Sequence, residues 1–120
     1  MSYAVKDTKE LPRSAADVLA AAAEIVSQLG GKRPKKDPDV AGQLQVDFNK
    51  EVGGQAFANR VRLIIRVAAA DAARCTTSAE AYPVDPLGNR LQFGVIGEPA
   101  RLVASAFWNR LETRLGRTAG

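Results

Sequence analysis

The strongest constraint lies between Asn59 and Ala69, where apolar and basic residues alternate without a break. Val61, Leu63, Ile65 and Val67 fall on one side, and Arg60, Arg62, Ile64 and Arg66 on the other. Successive side chains of a β-strand point to opposite faces, so this pattern predicts a strand with one face on a core and the other turned outward. A chain holding such a strand must supply apolar elements to cover its inner face.

Two segments have the period for that cover. Ser14-Ala-Ala-Asp17 has the form of a capping box, with a hydroxyl to accept a first-turn amide and an acid at the positive end of the helix dipole. Beyond it Val18, Ala22, Ile25 and Leu29 share a stripe, with Ala15, Leu19 and Val26 beside it. Gly30-Gly31 offers the left-handed residue that ends a helix, so a helix is predicted over 14–29. Near the other end Gly97-Glu98-Pro99 places proline at a first helical position. Ala100, Val103, Ala104, Phe107, Trp108, Leu111 and Leu115 then occupy one arc, which predicts a helix over 98–115 closed by Gly116, with Leu102 outside the arc.

Further strands follow from the same alternation. Gln43 to Asn49 turns Leu44, Val46 and Phe48 inward, and the segment from Arg74 turns Cys75, Thr77, Ala79 and Ala81 inward. Ser2 to Lys6 alternates weakly and is expected as a short first strand, and Leu91, Phe93 and Val95 as a short last one. Lys50 to Ala58, centred on Gly53-Gly54, is expected to be a flexible connection or wide hairpin. Ala70 to Ala73 is expected as a tight turn, and Asp85-Pro-Leu-Gly88 has the residues of a type I turn. Lys32 to Asp39, with two prolines and mixed charges, reads as an exposed loop. The expected fold is therefore α+β: a two-layer sandwich of an antiparallel meander of three to five strands, with both helices on one face and residues 1–120 forming a single domain.

The order β-α-β-β-β-α, with Asp39-Val-Ala-Gly42 leading into the second strand, resembles a small bacterial domain of unknown function. More distantly it resembles a trimmed helix-grip, or START-like, fold. The resemblance implies a ligand-binding architecture and carries no catalytic residues over to this chain.

Composition narrows the chemistry. There is no histidine, which removes the usual general base near neutral pH and the commonest metal ligand. The single cysteine, Cys75, allows neither an intrachain disulfide nor a thiolate zinc cluster and fits a reducing compartment, so a cytoplasmic location is expected. Its inward phase makes it a core residue rather than a nucleophile. No apolar run approaches the roughly 18 residues of a membrane span, and residues 1–6 do not have the pattern of a secretory signal. The acids Asp37, Asp39, Asp47, Glu51 and Asp85 have no spacing that would converge a catalytic or metal-binding pair, so no cofactor or metal is expected.

Two binding surfaces remain. If a ligand cavity lies between sheet and helices, Phe48, Ile65, Phe93, Phe107 and Trp108 supply the large lining groups and Ala79 and Ala81 leave the space. A net charge of +4 and pI near 9.6 make an anionic partner worth weighing, through Arg60, Arg62, Arg66, Lys32, Arg33, Lys35 and Lys36. Against that reading, the arginines can pair with Asp47 and Glu80, and exposed aromatics for stacking nucleic-acid bases are missing. Gly30-Gly31-Lys32-Arg33 follows a helix instead of opening one, and Gly94-Val-Ile-Gly97 is better read as a turn and cap. The sequence thus favours a non-catalytic binding domain for a small apolar ligand or a protein partner, with homodimerisation open. The alternatives are an anion or nucleic-acid binder and, last, an enzyme.

Overall fold

In the computed structural model, which describes residues 3–33 and 40–116, an antiparallel sheet lies under two helices packed on the same face. The elements run β1 (Val5–Leu11), α1 (Ala15–Gln28), β2 (Gln43–Phe48), β3 (Glu51–Val52), β4 (Gln55–Ala56), β5 (Arg60–Asp71), β6 (Arg74–Val84) and α2 (Pro99–Arg114). The main sheet has the order β1-β6-β5-β2, and β3 and β4 form a separate small hairpin.

The alternation of β5 sets the polarity of the whole layer. Val61, Leu63 and Ile65 have no exposed surface, and their cross-strand partners Pro83, Ala81 and Ala79 on β6 lie on the same inner face. On the other side β2 presents Phe48, Val46 and Leu44 opposite Val61, Leu63 and Ile65. Both helices close over this surface. α1 contributes Val18, Ala22 and Ile25 above β5 and β2, and α2 contributes Val103, Phe107 and Leu111 above β6, β5 and β1.

The helix ends follow from their caps. The Ser14 hydroxyl accepts from Asp17 N at 3.1 Å, as the capping sequence predicts. At the other end Gly30 takes φ +96°, Gly30 N donates to Ser27 O and Gly31 N donates to Val26 O, which is the paired bonding of a Schellman turn. α2 opens with Pro99 in its first turn and stops before Gly116, whose φ is +66°.

Several expectations are corrected. The first strand is not residues 2–6 but Val5–Leu11, antiparallel to β6 with Leu11 opposite Cys75; Ser2 lies outside the described residues. Its alternation was masked because two of its helix-side positions, Asp7 and Lys9, are charged. Residues 91–95 form no strand: after an isolated bridge between Val84 and Arg90 the chain crosses to α2 as a loop. The Lys50 to Ala58 segment is a tight hairpin, with Gly53 and Gly54 both at positive φ between β3 and β4. β5 runs through Asp71, so the turn to β6 is only Ala72-Ala73, with an irregular register between Ala69 and Asp71.

Candidate functional site

Four of the five residues expected to line a cavity lie in the core. Phe48, Ile65 and Phe107 have no exposed surface, so no water-sized space touches them, and Trp108 is 5% exposed. Phe107 and Trp108 meet edge to face, with ring centroids 5.4 Å apart. The fifth, Phe93, is corrected: it is 81% exposed, because the loop that carries it forms no ladder beyond its Leu91–Pro83 bond to β6 and leaves this side chain outside. Ala79 and Ala81 are fully buried, and the space above them is filled by the α2 side chains that pack on β6.

An open site does exist where the same crevice reaches the sheet margin. β1 is an edge strand, and its register opposite Ala79, Thr77 and Cys75 turns Asp7, Lys9 and Leu11 toward the helix side. Lys9 bonds to Glu112 on α2 at 2.5 Å, and its ammonium also lies 4.7 Å from the centroid of the Trp108 ring. A cation over an indole face is attracted by the ring quadrupole, by roughly 0.5–2 kcal/mol according to its hydration. Behind this pair the buried Trp108 Nε1 finds no hydrogen-bond acceptor among the described residues. An unmet buried donor costs on the order of 1–3 kcal/mol, so the indole N–H is a standing demand for an acceptor.

Lys9 and Glu112 also form one wall of a cleft of about 430 Å³, completed by Glu10, Leu11, Pro12, Arg13, Leu115 and Gly116. Leu11 and Leu115 give it an apolar floor, and Arg13 closes one side by donating to Leu115 O at 2.6 Å. Lys9 and Glu112 are 103 positions apart in the chain, so local periodicity could not join them. The available signal was the phase of Val5, Lys9 and Leu11 on one strand face.

The outer face of the sheet is held by ion pairs. Arg62 Nε and one terminal nitrogen donate to the two Asp47 oxygens at 2.8 and 3.1 Å, and the other terminal nitrogen donates to Gly88 O at 3.3 Å. These bonds to Asp47 raise the Arg62 pKa above its ordinary value, against the effect of burial. Arg66 and Arg90 both approach Glu80, at 3.9 and 3.7 Å, and Arg90 lies 4.0 Å from the centroid of the Tyr82 ring. Ile64 belongs to this face, as expected, yet it is only 8% exposed. The arginine row is therefore divided: Arg62 and Arg66 face carboxylates, while Arg60 makes no ion pair among the described residues. Lys32 and Arg33 are exposed, with the Lys32 backbone bridged to Asp47, and Lys35 and Lys36 lie outside the described residues. Cys75 has no exposed surface and its Sγ lies 3.5 Å from Thr77 Oγ1, as a core residue would. Among the described residues no helix is long and apolar enough to cross a membrane.

No family model matches the chain, and neither does any curated protein. Solved structures do. An uncharacterised protein from Bacillus thuringiensis is similar at a TM-score of 0.50 and 12% identity, over 93% of this chain and 98% of that one. A START superfamily protein from Mycobacterium smegmatis gives 0.49 and 13%, over 96% and 98%. An aromatase/cyclase from Streptomyces sp. R1128 gives 0.43 and 13%, over 98% and 95%. At such identity the likeness to the first of these is one of fold alone; apart from the small β3–β4 hairpin, the elements follow the β-α-β-β-β-α order expected from the sequence, with the last helix laid across the sheet.

Proposed function

We propose that this chain is a non-catalytic binding domain that takes a small, largely apolar molecule at the margin between α2 and β1. The observation that carries this reading is the buried Trp108 N–H without an acceptor, set behind the Lys9–Glu112 pair at the wall of the cleft. A ligand with an apolar body and one hydrogen-bond acceptor matches this arrangement: the body rests on Leu11 and Leu115, and the acceptor reaches the indole once Lys9 swings aside. Trp108 then backs the ligand, and Phe107, Phe48 and Ile65 support it from within the core. The absence of histidine and the burial of Cys75 agree with binding without chemistry.

Trp108 is the only tryptophan, so its emission reports on this site alone. Titration with 8-anilinonaphthalene-1-sulfonate is expected to give saturable energy transfer from Trp108. A folded Leu115→Arg variant, which places a charge in the cleft at a half-buried position, is expected to lose it. Native mass spectrometry of freshly expressed protein is expected to show a bound small molecule that the same variant lacks. Energy transfer that never saturates, or that survives Leu115→Arg unchanged, overturns the reading.

A further inference from the structure

The face of the sheet turned away from the helices carries more positive charge than its own carboxylates absorb. Arg60, Arg62 and Arg66 stand on it from β5, and Lys6 joins from β1, since its register partner Glu80 lies opposite Ile64. Arg90 reaches the face over the Tyr82 ring, and Lys32, bridged to Asp47, extends it beyond β2, because directly opposed residues share a face. Against these cations stand Asp47 and Glu80. Asp47 is occupied by Arg62, and Glu80 is shared by Arg66 and Arg90 at 3.9 and 3.7 Å. Lys6, Lys32 and Arg60 make no ion pair among the described residues.

Neighbouring acids do not cancel the surplus. Asp85, on the turn whose Gly88 O accepts from Arg62, keeps its charge, and the cations still outnumber the acids twofold. At the hairpin end Arg74 is tied to Glu10, and Asp71 adds a second acid beside it, which narrows the excess without removing it. On the helix side the pairing is one to one: Lys9 with Glu112, Arg114 with Glu24 and Arg101 with Glu98.

The patch is broad and level. With a rise of about 3.4 Å per residue and about 4.8 Å between strands, the cations extend roughly 20 Å along β5 and about as far from β1 to Lys32. No apolar side chain stands out from these strands, and Ile64 among the arginines is only 8% exposed. A protein partner would find no aromatic or apolar anchor at the centre, and a lipid surface would receive nothing to insert. A single nucleic-acid strand would lack stacking platforms, since the Tyr82 ring already lies under the Arg90 guanidinium. A duplex needs none of these. Its bases are stacked on one another, and its phosphates present one charge per about 1.7 Å of axis.

We infer that the outer sheet face docks double-stranded nucleic acid through its phosphates. The guanidinium forks match phosphate oxygens, and the uncommitted Lys6, Lys32 and Arg60 release counterions on contact. This face lies on the other side of the sheet from the helices, so the inference and the small-molecule reading stand or fall independently.

The test is fluorescence anisotropy of a labelled mixed-sequence duplex of about 20 base pairs, titrated with the whole chain between about 50 and 200 mM salt. Three contacts at about −0.9 each give an expected log–log slope of roughly −2.7. Arg60→Gln, Lys6→Gln and Lys32→Gln should each reduce that slope by about 0.9 and weaken binding roughly fivefold, with circular dichroism unchanged. Arg110→Gln, on the exposed side of α2, should change neither. Absence of binding, a slope shallower than about −1, or an Arg110→Gln effect equal to that of Arg60→Gln overturns the proposal. So does tighter binding of the matching single strand, or equal competition by polyglutamate, which would assign the face to acidic proteins.

Discussion

Replacing Gly42 by Ala tests whether the entry to β2 is fixed by a close backbone approach as well as by conformation. Gly42 has φ +75°, and a Cβ built on it would lie 2.8 Å from Val67 O on the neighbouring strand, whose own N–H donates to Gly42 O at 2.8 Å. Two costs follow. The left-handed backbone penalises any side-chain-bearing residue by roughly 1–2 kcal/mol. The contact with a backbone carbonyl cannot be relieved by a rotamer, so the end of the β2–β5 ladder must move and lose a hydrogen bond of about 1 kcal/mol net. Gly54 separates the two effects, because its φ is +86° and nothing lies within 4 Å of its Cβ position. Gly54→Ala should therefore cost only the conformational part, about 1–2 kcal/mol, and Gly42→Ala about 2–3 kcal/mol. At about 4 °C per kcal/mol for a domain of this size, Tm should fall by roughly 10 °C for Gly42→Ala and by about 6 °C for Gly54→Ala. Urea unfolding followed by circular dichroism at a shared m value measures the difference directly. If the two variants agree within about 0.5 kcal/mol, below the worth of a typical hydrogen bond, the close approach contributes nothing and the argument fails.

Other parts of the structure give equally definite outcomes. A double-mutant cycle of Arg62→Met and Asp47→Asn should return a coupling of about 1–2 kcal/mol, because the pair is bidentate and its side chains are only 18% and 21% exposed; coupling near zero would show that the pair only decorates the sheet. Phe107→Ala should destabilise by about 3–5 kcal/mol and leave an apolar cavity under α2, so saturating benzene should restore part of the loss in Tm, and no response to benzene would mean that the site had collapsed. Hydrogen bonds from the backbone of Asn89, with those of Leu87 and Gly88, hold the Asp85 carboxyl below its ordinary 3.8. Since the folded value is the lower one, the bonding is complete above that range and is lost as pH falls through the folded value. The Leu87 and Asn89 amide resonances should therefore titrate with a midpoint below 3.8, and should show no such step in Asp85→Asn; a midpoint at or above 3.8 refutes the bonding.

What could be read from the chain alone follows from where each signal is stored. β5, β2 and β6 show regular alternation because each packs one face on the helices and leaves the other outside, so Leu44, Leu63 and Ala79 fall in phase without any knowledge of their partners. The helix limits are written in local chemistry: Ser14 at one end of α1, Gly30 at the other, Pro99 at the start of α2. The limits of β1 escaped because an edge strand keeps only part of one face under cover, which admits Asp7 and Lys9 where a central strand would need apolar residues. Phe93 was misplaced for the opposite reason. Leu91, Phe93 and Val95 alternate as a strand would, but alternation without a neighbouring ladder creates no strand. The α2–β1 cleft was invisible, since it depends on Lys9 meeting Trp108 and Glu112 from the far end of the chain.

The half-exposed lysine partway along β1 also bears on how copies of this molecule meet. A free sheet border is a template onto which another extended chain can add itself, and the usual defence is a charge that an incoming strand would have to strip of its partners. Here that defence is tied to the α2 carboxylate and the indole, so lateral stacking of a second sheet border would sacrifice both contacts along with the cover of the crevice. The rim that shapes the α2–β1 cleft therefore also guards the sheet against growing into a ribbon.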